Sequence, residues 1–101
     1  MKVNVSSVVR VQSERAYTQV ELIDATAPVA GKKAVVDVSD SATGSALVDA
    51  AKSALNITLP VGFVKAVLLM NGEEADESKS LSELGVTDGS SVQVRFYVQI
   101  A

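Results

Sequence analysis

Alternating hydrophobic and polar residues mark two short segments in the first third of the chain. In residues 18–24 and 33–38, apolar side chains recur at every second position, as in a β-strand with one buried face. Pro28 and Gly31 interrupt the residues between the two segments, which indicates a loop. The pattern therefore predicts a β-hairpin.

The first residues of the chain carry the same signal less regularly. In residues 2–12, the alternation holds as far as Val5 and slips at the Val8–Val9 pair. This pattern favours either a strand with a bulge or an extended arm. We therefore assign residues 1–16 to an N-terminal arm or extra strand, and residues 17–101 to a single domain.

One helix is predicted, over residues 45–55. Leu47, then Ala50 or Ala51, then Ala54 or Leu55 recur at three- and four-residue spacing and would form one apolar stripe along it. Several of residues 39–44 have side-chain oxygens that can cap the free N–H groups of a first helical turn.

The second half of the chain has the clearest local signals. Residues 63–70 are a dense apolar run, typical of a buried strand, and Asn71-Gly72 is a tight-turn sequence. Residues 91–98 alternate strictly and predict a last strand with Val92, Val94 and Phe96 on one face. A short helical turn is expected at residues 81–86.

The order of these elements, and the run VLLMNGEEADESKSLSELGVTDGSSVQV in particular, resembles the ubiquitin superfamily. The resemblance covers about residues 17–98. It implies an α+β fold, the β-grasp roll, in which a mixed sheet of four or five strands packs on one helix, with a possible extra N-terminal strand.

Composition excludes several kinds of chemistry. The 101 residues leave room for one domain. They include no His, the commonest general base and metal ligand, and no Cys, which excludes disulfides and thiolate metal sites. The acidic stretch lacks the ligand spacing of a calcium loop, and no glycine-rich phosphate loop is present. We therefore expect no catalytic site, no metal and no cofactor.

Charge and hydropathy narrow the range of partners. The net charge is −3 and no basic run occurs, so nucleic acid is a poor candidate. No apolar stretch approaches the roughly 20 residues of a spanning helix, so no membrane contact is expected. A cytoplasmic protein that binds another protein is the simplest interpretation.

The resemblance also implies a docking surface, an exposed aliphatic patch on the outer face of the sheet. Aligned on the Gly72 turn, Leu69 matches the central aliphatic position of that patch. The predicted partner-binding residues are Lys65, Val67, Leu69, Gln93 and Arg95, and a secondary acidic site comprises Glu73, Glu74, Asp76 and Glu77. An ordinary exposed sheet face is the competing interpretation.

The function expected from the sequence is a non-catalytic protein–protein interaction domain, part of a scaffold or regulatory protein. One alternative is self-association, in which the basic sheet face of one copy contacts the acidic 73–77 loop of the next. A ubiquitin-like modifier or sulfur carrier would need a terminal Gly-Gly, whereas this sequence ends in Val98-Gln99-Ile100-Ala101. A type VII secretion accessory protein is a further alternative.

Overall fold

The computed structural model describes residues 1–12, 30–56 and 63–99. They form one helix and five strands. In chain order these are β1 (Lys2–Gln12), β2 (Lys33–Asp37), α1 (Gly44–Ala54), β3 (Phe63–Met70), β4 (Glu73–Glu74) and β5 (Ser91–Gln99).

The five strands make a single mixed sheet in the order β2-β1-β5-β3-β4. β1 and β5 lie side by side in parallel, and the other neighbouring pairs are antiparallel. The predicted α+β class, a mixed sheet packed on one helix, is confirmed.

The core lies between α1 and one face of the sheet, which we call the inner face. Leu47, Val48, Ala51 and Leu55 form the buried stripe of the helix segment. Alternate residues of the strands meet this stripe, namely Val3 and Val5 from β1, Val36 from β2, Leu68 from β3, and Val92, Val94 and Phe96 from β5. Burial of aliphatic side chains therefore holds the helix on the sheet.

The helix begins where the polar residues before it predicted. Thr43 is the N-cap, and its Oγ1 accepts a hydrogen bond from the Ala46 N–H at 3.2 Å. The chain leaves the helix at Leu55, and the following Asn56 has a φ of 52°. The predicted helix is confirmed to within one residue at each end.

The hairpin between β3 and β4 also follows from local sequence. Asn71 and Gly72 have φ values of 54° and 81°. Positive φ at both central residues is what a two-residue hairpin turn of type I′ requires. The turn places Leu69 opposite Glu74 and Met70 opposite Glu73.

The N-terminal segment forms a strand, one of the two expected alternatives. The described residues 1–12 contain a strand, β1, which lies between β2 and β5 and is integral to the sheet. The partner seen for β2 is β1. Residues 18–24, predicted to pair with β2, and the predicted boundary at residues 16 and 17 lie outside the described residues.

The prediction of a bulge at Val8–Val9 is wrong. β1 pairs with β5 in continuous register from Asn4 to Gln12. Val8 packs on the outer face and Val9 against the core, so the apolar pair reflects burial on both faces of the sheet. The register shift lies in β3, between Phe63 and Lys65.

Candidate functional site

The outer face of the sheet, turned away from α1, brings all five predicted partner-binding residues together. Val67 lies opposite Arg95 and Leu69 lies opposite Gln93 on neighbouring strands, and Lys65 lies opposite Tyr97. Because paired residues of adjacent strands point to the same face, these side chains form one continuous surface.

The expected exposed aliphatic centre of this surface is buried. Val67 is 9% and Leu69 2% exposed, and they pack with Tyr97 and the partly buried Val8 in a second, smaller core. The sequence alignment, which matched Leu69 to an exposed position, did not anticipate this burial. The two aliphatic residues therefore support the face rather than form its accessible surface.

The accessible side chains of this face are polar and basic. Lys65 and Gln93 are exposed, and Arg95 is half-buried. The Lys65 Nζ lies 5.0 Å from the centre of the Tyr97 ring, and the Arg95 Cζ lies 5.9 Å from it. Both cations therefore contact the same aromatic side chain, at distances typical of cation–π attraction.

A hydrogen bond adds to this arrangement. The Arg95 Nη1 donates to the Tyr97 Oη at 3.4 Å, and Tyr97 itself is buried. Because the ring is fixed by packing against Val67 and Leu69, it restricts where the guanidinium can lie. The charge of Arg95 is thus held close to the sheet surface.

Arg10 was missed by the sequence analysis and belongs to the same surface. It lies opposite Tyr97 on β1, across the ring from Lys65 on β3. We call Arg10, Lys65 and Arg95 the cationic cluster. The parallel pairing of Arg10 with Tyr97 could not be inferred from local sequence. The even spacing of Arg10 from Val8 does place both residues on one face of the strand.

The cationic cluster has no acidic partner in the described part of the chain. The ion pairs found there are those of the Met1 ammonium with Asp37 and of Lys52 with Asp49, both away from the cluster. Three neighbouring cations with no carboxylate partner among the described residues raise the local positive potential of the face.

Basic residues are concentrated on this face as a whole. The strand register places on it Lys2, Arg10, Lys33, Lys65 and Arg95, five of the nine Lys and Arg residues of a chain whose net charge is −3. The described acidic residues on its strands are Asp37 on β2 and Glu74 on β4, one at each outer side.

A shallow depression of about 430 Å³ lies at the other end of the β1–β5 pair from Arg10. Its lining includes Asn4, Ser6, Ser91, Lys33 and Val35. The first three have small polar side chains, so the sheet surface is low there. Val35 is 58% exposed, the largest exposure among the described bulky apolar residues.

The predicted secondary acidic site is only partly available. The Glu77 carboxylate accepts a hydrogen bond from the Leu68 N–H at 3.2 Å. Asp76 accepts hydrogen bonds from the Ser78 hydroxyl and N–H, and these hold the pKa of its carboxyl below the usual value of 3.8. Glu73 and Glu74 are exposed.

Within residues 1–12, 30–56 and 63–99, no group of three or more acidic residues is placed to hold a metal ion. No helix in the same ranges is both long and apolar enough to cross a membrane.

No protein-family model and no curated protein sequence matches the chain. Among solved structures, it is similar to the UBL domain of Plasmodium falciparum Dsk2, with 22% sequence identity and a TM-score of 0.53 over 95% of this chain and 99% of that one. The chain has a ubiquitin-like β-grasp fold. A ubiquitin-like protein from the hyperthermophilic archaeon Caldiarchaeum subterraneum is 18% identical, with a TM-score of 0.46 over 100% of this chain and 99% of that one.

The resemblance inferred from the second half of the sequence is thus confirmed at the level of the fold. In this fold, β1 and β5 are the parallel central pair, and the β3–β4 hairpin closes one side. Function must still be argued from the site, because one fold supports many functions.

Proposed function

We propose that this ubiquitin-like domain is a non-catalytic protein–protein interaction module that binds its partner through the outer face of the sheet. The observation that carries the proposal is the cationic cluster, three neighbouring cations with no acidic partner among the described residues. A scaffold or regulatory protein is the kind of protein that such a module would serve.

The mechanism we propose is electrostatic recognition on a rigid base. Val67, Leu69 and Tyr97 form a packed layer that restricts the side chains above it. Because Arg95 already contacts Tyr97, it loses less rotamer freedom on binding than a free arginine would. The charges of the face would set the orientation of the partner and the rate of association, and the buried layer would hold the binding surface in a fixed shape.

The chemistry of the chain supports a non-catalytic role. The sequence contains no His and no Cys, and the Arg95 and Tyr97 side chains contact each other rather than an activated nucleophile. Hydrogen bonds from Ser78 favour the charged form of Asp76 and lower the pKa of its carboxyl, which makes it a weaker general base.

Affinity capture from a lysate of the source cells tests the proposal. The wild-type domain is compared with Lys65→Glu/Arg95→Glu, which reverses two charges on the outer face. Leu69 is unsuitable for substitution because it is buried and its loss would destabilise the fold. We expect a partner that the wild type retains and the double variant loses.

The matched control is Lys52→Glu/Lys79→Glu, which makes the same charge change away from the outer face. Circular dichroism first checks that both variants are folded. Hydrogen exchange of the captured complex should then protect β1, β3 and β5. If all three proteins capture the same partner equally, the outer face is not the binding site and the proposal fails.

A further inference from the structure

We infer that the partner presents an extended acidic segment, with carboxylates on the cationic cluster and an aliphatic side chain in the depression beside Val35. This inference rests on the proposed function and names the chemistry of the partner. It commits to a protein segment rather than a nucleic acid or a second copy of the chain.

The charge of the face is the first argument. Arg10 and Lys65 lie on either side of Tyr97, and Arg95 contacts the same ring. Like charges this close repel one another, and carboxylates placed among them would relieve the repulsion while accepting charge-assisted hydrogen bonds. A neutral or basic partner would leave the repulsion in place.

The layout along the strands is the second argument. The depression is lined by Asn4 and Ser6, and Arg10 lies further along the same strand. Arg10 lies six positions after Asn4 along the strand, a distance of about 20 Å at ~3.3 Å per residue. An extended segment of roughly the same number of residues therefore reaches both places. The low floor at Ser6 and Ser91 leaves room for its backbone.

The apolar end of the segment follows from Val35. This side chain is more than half exposed and borders the depression, next to the small polar side chains of Asn4 and Ser91. An aliphatic side chain seated there would remove apolar surface from water on both partners. Because Lys33 lies on the same rim, a carboxylate near the aliphatic residue would also be accommodated.

The position of the acidic residues favours a peptide over a nucleic acid. Asp37 and Glu74 lie at opposite sides of the outer face, on β2 and β4. A phosphate backbone crossing the strands carries regularly spaced negative charges and would meet these carboxylates. A protein segment can place its few charges on the cluster alone.

A random peptide library displayed on phage tests the inference with the full-length chain as bait. We expect selected peptides to be enriched in Asp and Glu, with an aliphatic residue several positions away. One selected peptide is then titrated into isotope-labelled protein by NMR. Arg95→Gln should weaken its binding by about tenfold, the effect of losing one charge-assisted contact.

Two further variants test the two ends of the segment separately. Val35→Ser should weaken the selected peptide but not the same peptide with its aliphatic residue changed to Ala. Arg10→Gln should weaken both peptides. Lys52→Gln, on the helix, serves as the matched control and should leave the affinity of either peptide unchanged.

The results separate this inference from the proposed function. Selected peptides that lack acidic enrichment but shift outer-face resonances overturn the inference and leave the proposed function standing. Peptides that shift only resonances elsewhere overturn both. A single-stranded DNA oligonucleotide that binds the outer face more tightly than the acidic peptides, or a second copy of the chain that displaces them, also overturns the inference.

Discussion

Gly44 is a position where a single methyl group would disturb the fold. It is the first residue of α1, and a Cβ built there would lie 3.0 Å from the Glu77 Cα and 3.3 Å from the Leu68 Cδ2. The first of these atoms belongs to the backbone and cannot rotate away. The helix therefore begins where the segment at Glu77 passes close to it, and a larger residue at this position would require its neighbours to shift by a few tenths of an ångström.

We expect Gly44→Ala to lower the free energy of unfolding by about 1–2 kcal/mol. Overpacking costs about 1–3 kcal/mol, and the higher helix propensity of alanine offsets at most about 1 kcal/mol of it. Urea unfolding measures the difference. Ser45→Ala is the control, because its exposed side chain predicts a change within about 0.5 kcal/mol. Equal stability of both variants would show that the segment relaxes.

Asp76 gives the chain a pH dependence that can be assigned to one residue. Hydrogen bonds from the Ser78 hydroxyl and N–H favour its charged form and lower its pKa from 3.8. Because the folded pKa is the lower one, the stabilisation is present above 3.8 and is lost as the pH falls through the folded value. The stability advantage of wild type over Asp76→Asn should therefore shrink in acid.

Urea unfolding of both proteins at pH 6 and at pH 2 tests this expectation. The Asn side chain keeps an acceptor for the Ser78 groups without the charge, so the comparison isolates ionisation. A difference between wild type and variant that stays constant over this range would contradict the assignment.

At the scale of elements, β1 decides whether the sheet exists. It pairs with β2 on one side and β5 on the other, and its Val3 and Val5 are buried in the main core. Without β1, β2 would have no partner among the described strands, and one side of β5 would be left open. A chain starting at residue 17 should therefore fail to fold.

The comparison of residues 17–101 with the full chain measures this directly. We expect the fragment to lack dispersed amide resonances, whereas the full chain shows them. Added synthetic peptide of residues 1–16 should restore the dispersion if the loss is due to β1 alone. A fragment that folds without the peptide would establish residues 17–101 as an independent domain.

The elements that could be predicted from sequence are those specified by neighbouring residues. The stripe of Leu47, Ala51 and Leu55 predicts α1, and the Asn71-Gly72 pair predicts the hairpin turn. The place of β1 depends on parallel pairing with β5, far away in the chain, and no local pattern encodes it. The Val8–Val9 pair was misinterpreted for the same reason.

The candidate site was predictable to the same extent. Strict alternation in β5 places Gln93 and Arg95 on one face, Lys65 lies at even spacing from Leu69 in β3, and the structure brings the three together. Burial of Leu69 was not predictable, because it depends on side chains that only the fold brings together. Arg10 joins the cluster through the pairing of β1 with β5, which no local pattern encodes.

At the scale of the whole molecule, the described basic side chains are concentrated on one face. Lys2, Arg10, Lys33, Lys65 and Arg95 lie on the outer face, although the net charge of the chain is −3. Such a concentration of positive charge attracts acidic partners to that face and orients an encounter before contact. The same asymmetry raises the question of whether copies of the chain attract each other.

We expect the isolated chain to remain monomeric. Head-to-tail association would need the acidic 73–77 stretch of one copy to contact the outer face of another. Hydrogen bonds within the chain already engage one carboxylate oxygen of Asp76 and one of Glu77, so the exposed Glu73 and Glu74 are the residues that can contact a second copy without competing with such a bond. Two exposed ion pairs contribute only about 0–2 kcal/mol together, far below what a stable assembly requires.

Sedimentation velocity over a wide range of protein concentration, at low and at high salt, tests the monomer prediction. The sedimentation coefficient should not rise with concentration at either salt level. A rise at low salt that disappears at high salt, and that Glu73→Lys/Glu74→Lys abolishes, would instead establish head-to-tail self-association. In that case the cationic cluster would contact a second copy of the chain, because its charges would be matched within the assembly.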